Sequence, residues 1–136
     1  VLYLIDSFNV IFSGRELQKL ALRDSSSAHS QFIEMISNFC EREDCRAILV
    51  FDGGDCVGVR CFYRDDLVKA YYAGGAADPL IIKLAPKIFK NHPELVVVSS
   101  DGVIRGHCGQ MGIRTLGSMK FLRNYLAEGQ TATSED

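Results

Sequence analysis

Three apolar runs that stop at aspartates constrain the fold of this chain more than any other feature. Leu2-Tyr3-Leu4-Ile5 ends at Asp6, Ala47-Ile48-Leu49-Val50-Phe51 ends at Asp52, and Leu95-Val96-Val97-Val98-Ser99-Ser100 ends at Asp101. Short apolar runs without alternation suit strands buried on both faces, which places them in a parallel sheet covered by helices. The carboxyl ends of parallel strands share one edge, and ligands bind in the crevice there. Residues far apart in sequence thus meet, and a fourth acid, Asp78, opens an apolar helical segment that can join them. Two carboxylates about 4 Å apart repel by roughly 4 kcal/mol at an effective dielectric near 20. A cluster of them must therefore protonate, pair with cations or bind metal. With oxygen ligands alone, Mg²⁺ or Mn²⁺ is the expected ion.

At 136 residues the chain fits one domain with a sizeable core. Its 47% hydrophobic and 24% charged residues and net charge of −2 describe an ordinary globular protein and single out no partner. If nucleic acid is the substrate, binding must rely on a local basic patch and on cations. No apolar stretch approaches the roughly 20 residues that span a bilayer, and the first residues read as a strand rather than a signal peptide, so a cytoplasmic protein free of membrane is expected. The five cysteines, Cys40, Cys45, Cys56, Cys61 and Cys108, show no zinc spacing and read as small hydrophobes.

Strands are expected at Val1–Ile5, Arg46–Phe51, Leu67–Tyr72, Glu94–Ser99 and Ile113–Leu116, with the first central and the third, which carries Lys69, at an edge. Between them, Arg15 to Leu22 suits a short helix, followed by a Ser-rich loop from Asp24 to Ser27. From Ser30 to Arg42, the residues Phe32, Met35, Ile36, Phe39 and Cys40 recur on one helical face. Asp78-Pro79 reads as an N-cap followed by proline at the first helical position, ahead of a buried stripe of Ile81, Leu84, Ala85 and Ile88. Pro86 should kink or break that helix. Gly102 to Met111 forms a short helix or loop, and Ser118 caps a last helix to about Ala127 that buries Leu122, Tyr125 and Leu126. The expectation is a single-domain, doubly wound α/β fold with a mainly parallel five-stranded sheet over residues 1–128, and a disordered tail over 129–136.

Leu4-Ile5-Asp6-Ser7-Phe8-Asn9-Val10-Ile11, Val50-Phe51-Asp52-Gly53, Ala77-Asp78-Pro79-Leu80-Ile81 and Val97-Val98-Ser99-Ser100-Asp101 follow one another in a telling order. That order resembles the YacP-like branch of the NYN domains, within the PIN-like nuclease superfamily. The likeness spans nearly the whole chain, including Arg15 and Leu17 after the first motif and Gly112-Ile113 before the last helix. It implies a metal-dependent endoribonuclease, with RNA as substrate and, in some relatives, messenger RNA on the ribosome. Carried over residue by residue, Asp6, Asp78 and Asp101 become the catalytic metal ligands and Asp52 an outer acid. Asn9 orients the first loop, and Ser99 contacts a carboxylate or a phosphate. Lys83, Lys87 and Lys90, on one stripe of the helix after Asp78, would guide RNA together with Arg15 and Arg105.

Each assignment has a plainer competitor. Asp78 can simply cap its helix, Asp52 can be a turn residue before Gly53-Gly54, and the lysines can form a solvated face. His29, His92 and His107 read as solvated surface residues. Asp6 and Asp101 resist such a reading, because a carboxylate ending a buried strand is costly unless compensated. Gly74-Gly75-Ala76-Ala77 stands where relatives carry an acid and a threonine, and Gly102 stands where a basic or polar side chain is common. Those departures permit a second class, a catalytically weakened RNA- or ribosome-binding module. A third, a phosphoacceptor domain with Asp52 as acceptor, lacks the acidic pair after the first strand and the lysine that should end the last.

Overall fold

The computed structural model describes residues 1–54 and 57–126. Six strands form one sheet in the order β3-β4-β2-β1-β5-β6. They are β1 (Leu2–Asp6), β2 (Arg46–Phe51), β3 (Arg60–Arg64), β4 (Val68–Tyr72), β5 (Leu95–Val98) and β6 (Arg114–Leu116). All neighbours pair in parallel except β3, which runs antiparallel to β4. The helices are α1 (Ser7–Ile11), α2 (Arg15–Arg23), α3 (Ser25–Glu43), α4 (Ala77–Asn91), α5 (Gly102–Gln110) and α6 (Ser118–Phe121), the last continuing as a π-helical turn, Leu122–Leu126.

Strand alternation divides the core into two layers. Ile5, Leu49, Phe51, Val68, Ala70, Val96 and Val98 face one way and pack with Phe32, Ile36 and Phe39 of α3 and with Phe121. Leu2, Leu4, Val50, Leu95 and Val97 face the other way, against Ala77, Ile81 and Ala85 of α4 and Ile104 of α5. Helices on both faces make the fold doubly wound, and the central β1 registers with β2 on one side and β5 on the other. The chain leaves β1 toward β2 through α1 to α3 and later crosses back through α4 to β5. The carboxyl end of β1 is therefore the switch point of the sheet, where a crevice opens.

Several sequence expectations need correction. The sheet has six strands rather than five, because Arg60–Arg64 forms the outer edge. That segment carries no clean alternation, and its pairing slips at a bulge between Cys61 and Tyr63. Leu67–Tyr72 is accordingly not the edge strand, which agrees with the complete burial of Val68 and Ala70. The Ser-rich loop is the first turn of α3: the Asp24 carboxylate accepts from Ser27 N (3.2 Å) and Ser27 Oγ (2.7 Å) and caps the helix.

Residue Ala76, not Asp78, is the N-cap of α4, so Asp78 and Pro79 are the second and third helical residues. The helix runs from Ala77 to Asn91 through Pro86 without a break. At α6, Gly117 takes the N-cap position and Ser118 begins the helix. Ser118, Phe121 and Leu126 are buried there, Leu122 is partly buried against the core, and Tyr125 is 38% exposed. The expected tail, 129–136, and Cys56 lie outside the described residues. Cys40, Cys45 and Cys108 are buried free thiols, and Cys61 is exposed. Among the described residues no helix is long and apolar enough to cross a membrane.

Candidate acidic site

Four loops converge at the carboxyl edge of the sheet, each contributing one aspartate. Asp6 is the last residue of β1 and sits on the α4 side, since Ile5 before it faces α3. Although it occupies the N-cap position of α1, its side chain makes no capping bond. Only 4% of it is exposed, and Oδ2 accepts a hydrogen bond from Ser99 Oγ at 2.8 Å. Burial raises its pKa, the Ser99 bond offsets part of that, and the charges of Asp78, Asp52 and Asp101 raise it further, from 3.8 to about 6.

Asp78, in the first turn of α4, does not cap its own helix. Burial raises its pKa, and so do the charge of Asp101, a hydrogen bond with Asp101, and the charge of Asp52. Neither Asp6 nor Asp78 thus performs the structural task a strand end or helix start would ask of it. Asp101 and Asp52 do perform one. Asp101 caps α5, its Oδ1 accepting from Val103 N (2.9 Å) and Ile104 N (3.0 Å). Asp52 accepts from Ala77 N at 3.0 Å and so holds the start of α4 against the end of β2. Gly53 makes that approach possible, because a Cβ there would lie 1.6 Å from the Ala73 carbonyl oxygen. Asp52 therefore serves as a turn and tether residue as well as lending its charge to the cluster.

Ser99 is wholly buried and couples two of the acids, donating to Asp6 and accepting from Asp101 N at 3.0 Å. Asn9 braces the loops rather than offering a free carbonyl: its Oδ1 accepts from Ser100 N at 2.9 Å and from Ser118 Oγ. Ser100 Oγ in turn accepts from Ser118 N at 2.9 Å. The β1–α1, β5–α5 and β6–α6 connections are thereby locked together. Ser100 and Ser118 were not legible as part of this brace, because no local spacing links them to Asn9.

The basic residues are more dispersed. Arg105 reaches toward the start of α6, its Nε 3.4 Å from Thr115 Oγ1. Lys83, Lys87 and Lys90 are exposed along α4. Arg15 opens α2 and lines a cleft of about 770 Å³ with Arg42, Met35, Leu122 and Leu126, a cleft that none of the four aspartates lines. Of the histidines, His107 is exposed and His92 lies 3.4 Å from Glu94 at the surface. His29 departs from expectation: it is half-buried, its ring 4.6 Å from that of Phe51 and 5.1 Å from that of Phe8, and burial lowers its pKa. Because α3 begins at Ser25 rather than Ser30, His29 lies on the helix, which carries it inward.

The carboxylates available to a cation are Asp6, Asp78 and Asp101, with Asp52 beside them. Among the described residues no three histidine, cysteine or acidic side chains are gathered as a ready-made metal group. The donor chemistry nonetheless suits a hard ion: every candidate is a carboxylate, Ser99 links the Asp6 side chain to the backbone of Asp101, and a small divalent ion can keep several waters in place of protein ligands.

A mainly parallel, doubly wound sheet with its acids at the switch point, together with the likenesses that follow, defines the chain as a PIN-like domain of nuclease type. Within that class, the model of the YacP-like NYN domain matches residues 3–135, and the chain belongs to that family. The structure is similar to that of Rae1 (YacP) from Bacillus subtilis, with a TM-score of 0.77 and 20% identity over 97% of this chain and 77% of that one. A tryptophan-to-leucine mutant of the same protein gives a TM-score of 0.75 and 20% identity over 95% of this chain and 77% of that one. At such identity the likeness speaks to fold alone. No curated protein matches the chain.

Proposed function

We propose that the chain is a divalent-metal-dependent endoribonuclease whose ion is held by Asp6, Asp78 and Asp101. The observation that carries this reading is the meeting of these loops at one sheet edge: Asp6, 4% exposed at the end of β1, accepts from Ser99 Oγ, which itself accepts from Asp101 N, while Asp52 holds Ala77, the residue before Asp78. Asp78 strengthens it, since the capping role that would have explained that residue belongs to Ala76 and Asp52 instead. A bound Mg²⁺ or Mn²⁺ supplies Lewis acidity, lowering the pKa of a coordinated water and offsetting charge on the phosphate during in-line displacement. Ser99 keeps Asp6 and Asp101 in register, and Asn9 fixes the loops that carry them. Asp52 sets the start of α4 and with it the position of Asp78. Lys83, Lys87, Lys90 and Arg105 attract the RNA backbone toward a chain that is otherwise acidic. Arg15 contributes from the α2 side. Messenger RNA on the ribosome is the form of substrate that the family resemblance suggests.

A second reading, an RNA- or ribosome-binding module with weakened catalysis, is favoured by Ala76 and Ala77 beside Asp78 and by the engagement of Asp101 in capping. Calorimetric titration with Mn²⁺ separates the two. Saturable binding by the wild type that Asp6→Asn and Asp78→Asn abolish supports the enzyme. No binding at millimolar Mn²⁺ by the folded wild type would leave the binding module as the better account.

A further inference from the structure

Opposite α4, on the α3 side of the same sheet edge, lies a row of rings that the acidic site does not use. Phe12 and Phe8 have ring centroids 6.0 Å apart, Phe8 and His29 5.1 Å, and His29 and Tyr72 6.3 Å. Tyr72 stacks on Phe62 at 4.0 Å and 19°. The wholly buried Phe51 is the hub beneath them, within 6.3 Å of Phe8, His29, Phe62 and Tyr72. A closed core would cover such rings completely, yet Phe12 is 41% exposed, and Phe8, His29, Phe62 and Tyr72 each keep part of their surface in solvent, although Phe8, Phe62 and Tyr72 pack against the core. An exposed cation joins the row, with the Arg60 guanidinium 5.6 Å from the centroid of Tyr72.

The row abuts the acidic crevice along the chain. Phe51 directly precedes Asp52, and Phe8 lies two residues beyond Asp6. Partly exposed rings beside a guanidinium are the elements with which proteins hold unpaired bases, the rings stacking and the arginine adding cation–π and phosphate contacts. Resting on the nuclease reading above, we propose that Phe8, Phe12, His29, Phe62, Tyr72 and Arg60 form a stacking subsite for bases of single-stranded RNA flanking the phosphate at the acidic cluster. Base-paired RNA, whose bases are already stacked, cannot use it. The subsite therefore selects unpaired RNA. His29 suits the role because its lowered pKa leaves the ring neutral near pH 7.

The test is fluorescence anisotropy with a 5′-fluorescein oligouridine, a matched abasic oligomer and a hairpin duplex, in EDTA so that binding is read without cutting. The wild type should bind the base-bearing single strand about tenfold more tightly than the abasic strand or the duplex. Phe12→Ser, Tyr72→Leu and Arg60→Gln should each lose several-fold in affinity for it and little for the abasic strand. Phe12 and Arg60 are exposed, so those two variants decide the matter even if Tyr72→Leu fails to fold. Equal affinity for all three oligomers, or unchanged base preference in the folded variants, overturns the subsite. The nuclease reading is judged separately by Mn²⁺ calorimetry, so the two can fail independently.

Discussion

Replacing Asp6 by asparagine should make the metal-free protein more stable, although it removes the residue on which the proposed chemistry depends. Asparagine is nearly isosteric and can still accept the Ser99 hydrogen bond through its Oδ1, so the cavity and the bond at 2.8 Å survive. What disappears is a buried charge. In the folded protein Asp6 titrates near 6, against an ordinary 3.8. At about 1.4 kcal/mol per pH unit the difference amounts to about 3 kcal/mol. Below pH 4 the residue is protonated whether the chain is folded or not, and it costs nothing. Between pH 4 and 6 the unfolded chain releases the proton that the folded chain retains, so stability falls. Above pH 6 the full cost is present. For 136 residues, with an unfolding entropy of roughly 2.1 cal/mol/K per residue, 3 kcal/mol corresponds to about 10 °C in Tm. Thermal melts in EDTA should therefore show Asp6→Asn melting about 5–10 °C above wild type at pH 8, with the gap closing by pH 4. A variant less stable than wild type at pH 8, or a gap that does not change with pH, would mean that the buried Asp6 charge does not cost the fold stability.

Other substitutions separate the structural acids from the rest. Asp101→Ala removes both bonds at the α5 N-terminus and should cost about 1–2 kcal/mol in urea unfolding, while Asp78→Asn, which breaks no cap, should be neutral or stabilising at pH 8. Ser99→Ala withdraws the donor from Asp6 and should cost about 1–3 kcal/mol at pH 8 but distinctly less at pH 4, where the carboxyl is neutral. Gly53→Ala forces a methyl into the Ala73 carbonyl and should destabilise by more than about 3 kcal/mol, seen as loss of the cooperative urea transition or of soluble protein.

Much of this site was legible because buried parallel strands advertise themselves: Leu4-Ile5 and Val97-Val98 can only be interior, and so the aspartates that follow them must share an edge. The family likeness then supplied an order for the four loops. What the chain concealed depends on contacts between segments. Asp78-Pro79 has the local signature of a cap, yet the bond that orders the start of α4 comes from Asp52, 25 residues earlier. Asp24 was the true cap of α3, hidden because Ser25-Ser26-Ser27 carries no apolar residue to extend the helical period; with it went His29 and the aromatic row. β3 escaped because Arg60 and Arg64 frame a segment whose bulge spoils the two-residue rhythm. The brace of Asn9, Ser100 and Ser118 joins three loops through hydroxyl and amide bonds that have no sequence period at all.

Whether Asp6 at the end of β1, Asp78 in the first turn of α4 and Asp101 at the N-cap of α5 hold a metal and cut RNA is decided by incubating purified protein with end-labelled single-stranded RNA in Mn²⁺, Mg²⁺ or EDTA. Internal cleavage is expected with either ion, none in EDTA, and a loss of about a hundredfold or more in Asp6→Asn and Asp101→Asn proteins that melt cooperatively. Cleavage that persists in EDTA, or at the wild-type rate in the folded Asp6→Asn protein, would rule out the metal site as the seat of cutting.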